Sequence, residues 1–194
     1  MLEKLHGKLL LLPIACLLLL VGCSNDKIDE TTSIEPISRT EFMMGTAISI
    51  TLHDSNDESI LDAAFERLDE LENELRLNLD DTLLVTVNSN AGIEPTPIND
   101  DMYNIIERSL YYGELTDGSF DISVGPIVTL WNIGLPDARL PEPEEIEAVL
   151  PLVDYTHIEL LDDEHAVYLE TPGMQLDLGS IAKGYGADEM VKLL

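Results

Sequence analysis

The chain has 194 residues, 45% of them hydrophobic and 25% charged, which suits one folded domain and excludes a wholly disordered polymer. Ten Lys and Arg stand against 38 Asp and Glu, a formal charge of −28. That balance argues against a nucleic-acid partner and against binding anionic lipid through a basic patch. Both cysteines, Cys16 and Cys23, lie before residue 24, so the body of the protein holds neither a disulfide scaffold nor a cysteine-built zinc site.

The first segment reads as an address. Lys4, His6 and Lys8 precede the apolar run Leu9–Val21, which is interrupted by Pro13. The run is too short to span a bilayer comfortably and suits the hydrophobic region of an export signal. It closes on Leu20-Val21-Gly22-Cys23 and then turns polar. This ending resembles a bacterial lipobox, whose cysteine is lipidated and becomes the mature N-terminus; a plain secretory signal with a chance cysteine is the alternative. The expectation is a lipoprotein signal peptide over 1–22, a lipid on Cys23 and a flexible tether over 23–36. The folded part would then be held to the membrane on its extracytoplasmic face by buried acyl methylenes.

Order is expected from about Ile37. Thr46–Leu52 alternates and is rich in β-formers, so it predicts a strand. Asp54–Asp57 is a turn and helix-capping cluster. Ile60, Leu61, Ala64, Phe65, Leu68, Leu71 and Leu75 recur at three- and four-residue steps, predicting an amphipathic helix whose wet face carries Asp62, Glu66, Asp69, Glu70 and Glu72. Leu83–Val87 is a short apolar run entering a turn at Asn88–Gly92. A second helix is expected over Asp100–Leu115, capped by Asn99 or Asp100. The apolar stretch Phe120–Ile133 and the proline-rich connection Pro136–Pro143 follow. A short acidic helix is expected at Glu144–Leu150, and a hairpin pairs His157–Leu161 with Ala166–Leu169. A strand at Leu176–Leu178 is expected to lead through Gly179 into a last helix from Ser180. That helix keeps its apolar face to Leu194 with no stop signal, so the chain is expected to end inside its domain. Strands and helices without regular alternation predict an α+β fold, with a mixed, largely antiparallel sheet and packed helices.

Three segments have the composition of a binding site. Met43-Met44-Gly45-Thr46 sits at the mouth of a strand, where a turn would look the same. Thr116–Gly134 gathers two aspartates, several glycines and the only tryptophan, Trp131. Its glycines allow close backbone approach to a ligand and its aromatics can wall one, or they can be ordinary turns and core. In Leu176–Tyr185, a helix start after Gly179 offers unpartnered N–H groups and a positive dipole end to an anion such as phosphate. Lys183 adds a full charge one turn in, and Asp177 stands just before the turn. The same residues also fit a structural turn with a surface lysine. No Walker pattern or Gly-x-Gly-x-x-Gly is present.

In this order and spacing, Met44-Gly45-Thr46, Thr116–Gly134 and Leu176–Asp188, with Asn88–Gly92 as a weaker block, resemble the family of FAD:protein FMN transferases. The resemblance covers 37–194 and makes that span the N-terminal part of a flavin transferase domain. It implies Mg2+-dependent cleavage of FAD, the substrate. FMN would pass through its phosphate to a threonine or serine of an acceptor flavoprotein, a respiratory or extracellular electron-transfer subunit, and AMP would leave. It places the flavin contacts on Met44, Ser119, Phe120, Asp121, Asp177 and Lys183, and a metal contact on the backbone carbonyl of Ser180. No catalytic residue is assigned. Leu79 stands where many members of that family carry an aromatic. Members also run on well beyond residue 194 and bring further magnesium ligands there. The competing reading is a lipid-anchored flavin- or nucleotide-binding module without catalysis. An acidic surface protein is the third.

Overall fold

A two-residue turn folds the start of the ordered chain back on itself. In a computed structural model of the chain, which describes residues 34–77 and 81–194, β1 (Ile37–Met43) pairs antiparallel with β2 (Thr46–Leu52), Met43 lying opposite Thr46. Met44 and Gly45 both have positive φ, 50° and 70°, the left-handed turn whose twist matches that of the strands it joins. Strand β2 is where its alternation puts it, with Ile50 and Leu52 buried and Ser49 and Thr51 outward. Strand β1 was not anticipated: its mixed sequence is held by its partner rather than by its own pattern. The signal segment 1–22, Cys23, most of the tether and Leu79 lie outside the described residues.

Helix α1 (Glu58–Leu75) begins at Asp57, whose carboxylate accepts the Ser59 N–H at 3.0 Å, and buries Leu61, Ala64, Phe65, Leu68, Leu71 and Leu75. Helix α2 (Leu83–Ser89) replaces the expected featureless apolar run. Thr82 caps it, accepting the Val85 N–H at 3.1 Å while donating to the Arg76 carbonyl at 2.8 Å, and Leu84 and Val87 turn inward. β3 (Thr96–Pro97) precedes α3 (Asp100–Leu115), which is capped by Asn99 on the Met102 N–H. The stretch after it contains α4 (Gly125–Trp131), and α5 (Pro143–Val149) follows. β4 (Ile158–Leu161) and β5 (Ala166–Leu169) form the expected hairpin, and β5 also pairs with β3. The last helix is α6 (Gly179–Leu193).

The α+β class therefore holds; among the described residues every ladder is antiparallel and the sheet is divided in two: β1-β2, and β3-β5-β4. The expected strand at Leu176–Leu178 is an extended segment outside both sheets, and a parallel bridge joins the neighbouring Gln175 to Val124. Two apolar cores result among the described residues. The larger includes Leu71, Leu75, Leu84, Ile105, Ile122, Leu169, Met174, Leu176 and Leu178. The smaller packs Ile50 and Leu52 of the hairpin against Leu61, Phe65 and Leu68 of α1 and Met190 of α6. Half-buried Met44 touches both.

Candidate active-site cleft

The start of α6 is placed by the segment before it. Met174, Leu176 and Leu178 are buried while Gln175 and Asp177 are less so, the alternation of an extended chain. Asn88 at the end of α2 fastens this segment on one side. Its amide donates to the Leu176 carbonyl at 3.1 Å and accepts the Leu176 N–H at 2.7 Å. On the other side the Asp177 N–H donates to the Ile122 carbonyl at 2.8 Å, and the Gly125 N–H to the Gln175 carbonyl at 3.1 Å. The weak Asn88–Gly92 block in the sequence thus contains the clasp that seats Asp177.

At the helix start, Asp177 Oδ1 accepts the Gly179 N–H at 2.8 Å. The carboxylate fills one of the orphan donors that were expected to greet a phosphate. Lys183 is exposed and donates Nζ to the Gly179 carbonyl at 3.2 Å. Asp177, Gly179, Ala182 and Lys183 form one wall of a cleft of about 280 Å³. Met44 and Gly45 of the hairpin turn, with Glu72, Leu75, Arg76 and Leu77 at the end of α1, form the rest. Met44, Asp177 and Lys183, distant in sequence, are therefore brought together. Glu72 and Arg76 had no signal in the sequence beyond their place near the end of an acidic helix; they face each other at 3.6 Å.

Ser119, Phe120 and Asp121 do not line this cleft. They follow a left-handed turn at Asp117 and Gly118, with φ of 52° and 75°. The Asp121 carboxylate is engaged by the protein itself: Oδ1 accepts the Ser123 N–H at 2.7 Å and the Ser123 hydroxyl at 2.6 Å, and Oδ2 accepts the Tyr155 N–H at 3.0 Å. Phe120 is half-buried with its ring edge-on to Tyr112, centroids 6.1 Å apart, and Ser119 is exposed. Their link to the cleft is the backbone bond from Asp177 to Ile122. Tyr112 borders a second cavity of about 460 Å³ between α3 and α6, with Arg108, Tyr185 and Lys192 around it.

Ser180 is exposed in the first turn of α6. Among the described residues no three His, Asp or Glu side chains converge as a metal centre. The cleft's two carboxylates, Asp177 and Glu72, already face the Gly179 N–H and Arg76. One carbonyl and two engaged carboxylates fall short of the six oxygens that magnesium takes, so water and substrate phosphate would have to supply the others. The described residues therefore do not by themselves fit that ion.

Charge is concentrated where α6 meets α1 and α3. Arg67 Nη2 donates to Asp101 Oδ1 at 2.6 Å and to Glu189 Oε2 at 2.9 Å. The Tyr185 hydroxyl donates to the same Asp101 oxygen at 2.7 Å, and Lys192 donates to Glu189. The hydrogen bond to Asp101 and the bond to Glu189 raise the Arg67 guanidinium further above its ordinary value, against the cost of burial. Burial pushes the Asp101 carboxyl up, but the bonds from Arg67 and Tyr185 outweigh it and hold the group below its ordinary value. Lys192 and then Arg67 likewise lower Glu189 against desolvation. Burial and the bond to Asp101 push the Tyr185 phenol up to about 12.

Comparison with known proteins places this architecture. The model of the ApbE family matches residues 44–194. An FAD:protein FMN transferase of Treponema pallidum is 33% identical over 190 residues, covering 93% of this chain and 51% of that protein. One of Klebsiella pneumoniae is 31% identical over 153 residues, covering 79% and 48% respectively. The crystal structure of the ApbE protein of Thermotoga maritima superposes with a TM-score of 0.76 at 26% identity, covering 82% of this chain and 52% of that one. The chain spans about half the length of the curated relatives it matches.

Proposed function

This chain belongs to the ApbE family, and from that premise we propose that the protein transfers FMN from FAD to an acceptor protein. The observation that carries the reading is the convergence of Met44, Asp177 and Lys183 on one cleft at the start of α6, inside the matched span. In the proposed reaction a threonine or serine hydroxyl oxygen of the acceptor bonds to the FMN phosphorus. The bond from that phosphorus to the bridging oxygen breaks, AMP departs with that oxygen, and the hydroxyl proton is released. Lys183 supplies positive charge to the pyrophosphate, turning from the Gly179 carbonyl to do so. Dependence on Mg2+ belongs to the same proposal, with most of the ion's ligands expected outside the described residues.

Calorimetry with two ligands tests the reading. Lys183→Ala is expected to weaken FAD binding by on the order of 1.5–3 kcal/mol, the cost of a lost charge-assisted bond, and riboflavin binding much less, because riboflavin has no phosphate. Equal losses for both ligands contradict it. AMP release with FAD, Mg2+ and an acceptor domain separates transfer from binding without chemistry.

The protein's location belongs to the proposal too: a lipid on Cys23 holds it on the extracytoplasmic face of the membrane, within reach of a respiratory or extracellular electron-transfer flavoprotein. Cys23→Ser is expected to abolish lipid labelling and change processing. Unchanged labelling removes the anchor from the reading.

A further inference from the structure

The wall of the cleft that carries Gly179 and Lys183 is a helix, and its seat is set some way from the cleft. Arg67 on α1 bonds with one nitrogen to Asp101 on α3 and to Glu189 on α6, so three helices meet at one guanidinium. The three side chains are 22%, 16% and 13% exposed, enough enclosure to hold the geometry. Without the guanidinium the two carboxylates lose the group that joins them, and Lys192 on Glu189 and the Tyr185 hydroxyl on Asp101 are left to offset their repulsion. A methyl at Gly186, one helical turn before Glu189, would lie 3.1 Å from Leu68 Cδ2 and 3.8 Å from the Met44 sulfur, so α6 approaches α1 closely beside a cleft residue. Lys183 is six residues before Glu189, a little under two turns and about 9 Å along the axis. A tilt of α6 at the clamp therefore moves Lys183 relative to Met44.

We propose that Arg67 is a positioning residue for the cleft: by joining Asp101 and Glu189 it fixes α6 so that Lys183 and Gly179 stand across from Met44 and the end of α1. The inference rests on the reading of the cleft as the site of a flavin dinucleotide and deepens it. It assigns to Arg67 an effect on phosphate recognition without contact to the ligand.

The test uses the full chain with Cys16 and Cys23 changed to serine and spin labels on Glu66→Cys and Ala187→Cys, two exposed positions on α1 and α6. Arg67→Met keeps most of the stem and removes the charge, and Arg67→Lys keeps a charge that lacks the planar fork. Arg67→Met is expected to shift or broaden the α1–α6 distance while the helical circular dichroism persists. It is also expected to weaken FAD binding about tenfold and riboflavin binding less, with Arg67→Lys recovering part of both effects. Where Arg67→Met fails to fold, Glu189→Gln takes its place with the same expectation. An unchanged distance overturns the proposal. So does a changed distance with FAD and riboflavin affinities that stay put or fall together, because Arg67 would then serve stability alone. If the parent chain binds no FAD while the distance still responds to Arg67, the flavin reading fails. The positioning role for that ligand then falls with it, and the helix clamp is seen separately.

Discussion

Gly125 stands closer to Gln175 than any side chain permits: a methyl at 125 would lie 2.6 Å from the Gln175 carbonyl oxygen. The obstacle is backbone, which cannot swing aside like a side-chain tip, and the same oxygen accepts the Gly125 N–H. Gly125→Ala is expected to cost about 1–3 kcal/mol, the range for overpacking a filled site. Because the contact lays Gln175 and Asp177 alongside Ile122–Val124, FAD affinity is expected to fall as well. Urea denaturation and calorimetry on the same preparation check both effects.

Asp177 has a structural role that can be separated from any contact with ligand. Asp177→Ala removes the acceptor of the Gly179 N–H, a bond made from the residue before the N-cap Leu178, and is expected to cost about 1 kcal/mol, the net worth of one hydrogen bond. Asp177→Asn keeps an acceptor oxygen and is expected to lie close to the parent in denaturant midpoint. A fall in FAD affinity in the asparagine variant at unchanged stability then assigns the carboxylate charge to binding.

The helices α1 and α3 were legible because each buries one stripe and is announced by a capping residue, Asp57 and Asn99. The hairpin β4–β5 was legible because turn residues separate two apolar runs. Helix α2 was not: Leu83–Val87 is too short to show a period, and its identity rests on the Thr82 cap and on burial of Leu84 and Val87. In the site, residues near a glycine turn stood out, whereas Arg67, Asp101 and Glu189 did not. They lie 34 and 88 residues apart and look like any charges on acidic helices until the fold joins them.

Asp121 is expected to behave as a structural residue. Asp121→Ala loses three accepted bonds, two from Ser123 and one from the Tyr155 backbone. A cost on the order of 3 kcal/mol is expected, since bonds to charged groups exceed neutral ones. The ring of Tyr155 lies over Gly113, where a methyl would meet it at 2.8 Å, so release of Tyr155 also loosens the end of α3. Thermal unfolding beside Ser119→Ala, a change at an exposed neighbour, checks the contrast.

The Arg67 clamp gives stability a definite pH dependence. Asp101 and Glu189 are both held below their ordinary values in the folded chain. Their contribution is therefore complete above the unfolded carboxylate values, near about 4. It is lost as pH falls through the lower folded values. The difference in thermal midpoint between the parent and Arg67→Met is expected to be full at neutral pH and to shrink on acidification below about pH 5. A difference that stays constant across that range argues that packing of the Arg67 stem, and not its charge, holds α6.

Helix α1 serves two cores in succession: Leu61, Phe65 and Leu68 pack with the β1–β2 hairpin, while Leu71 and Leu75 belong to the larger core. The cleft opens along the seam between them, with Gly45 on the hairpin side and Leu75 and Ala182 on the other. A seam between separately packed bodies is where a small rotation disturbs the fewest contacts. Helix α6 crosses the same seam, with Ala182 in the larger core and Met190 in the smaller, so the hairpin turn is the edge of the cleft with the least to hold it. Amide exchange is expected to report opening of the cleft at the Met44-Gly45 turn well below the free energy of global unfolding.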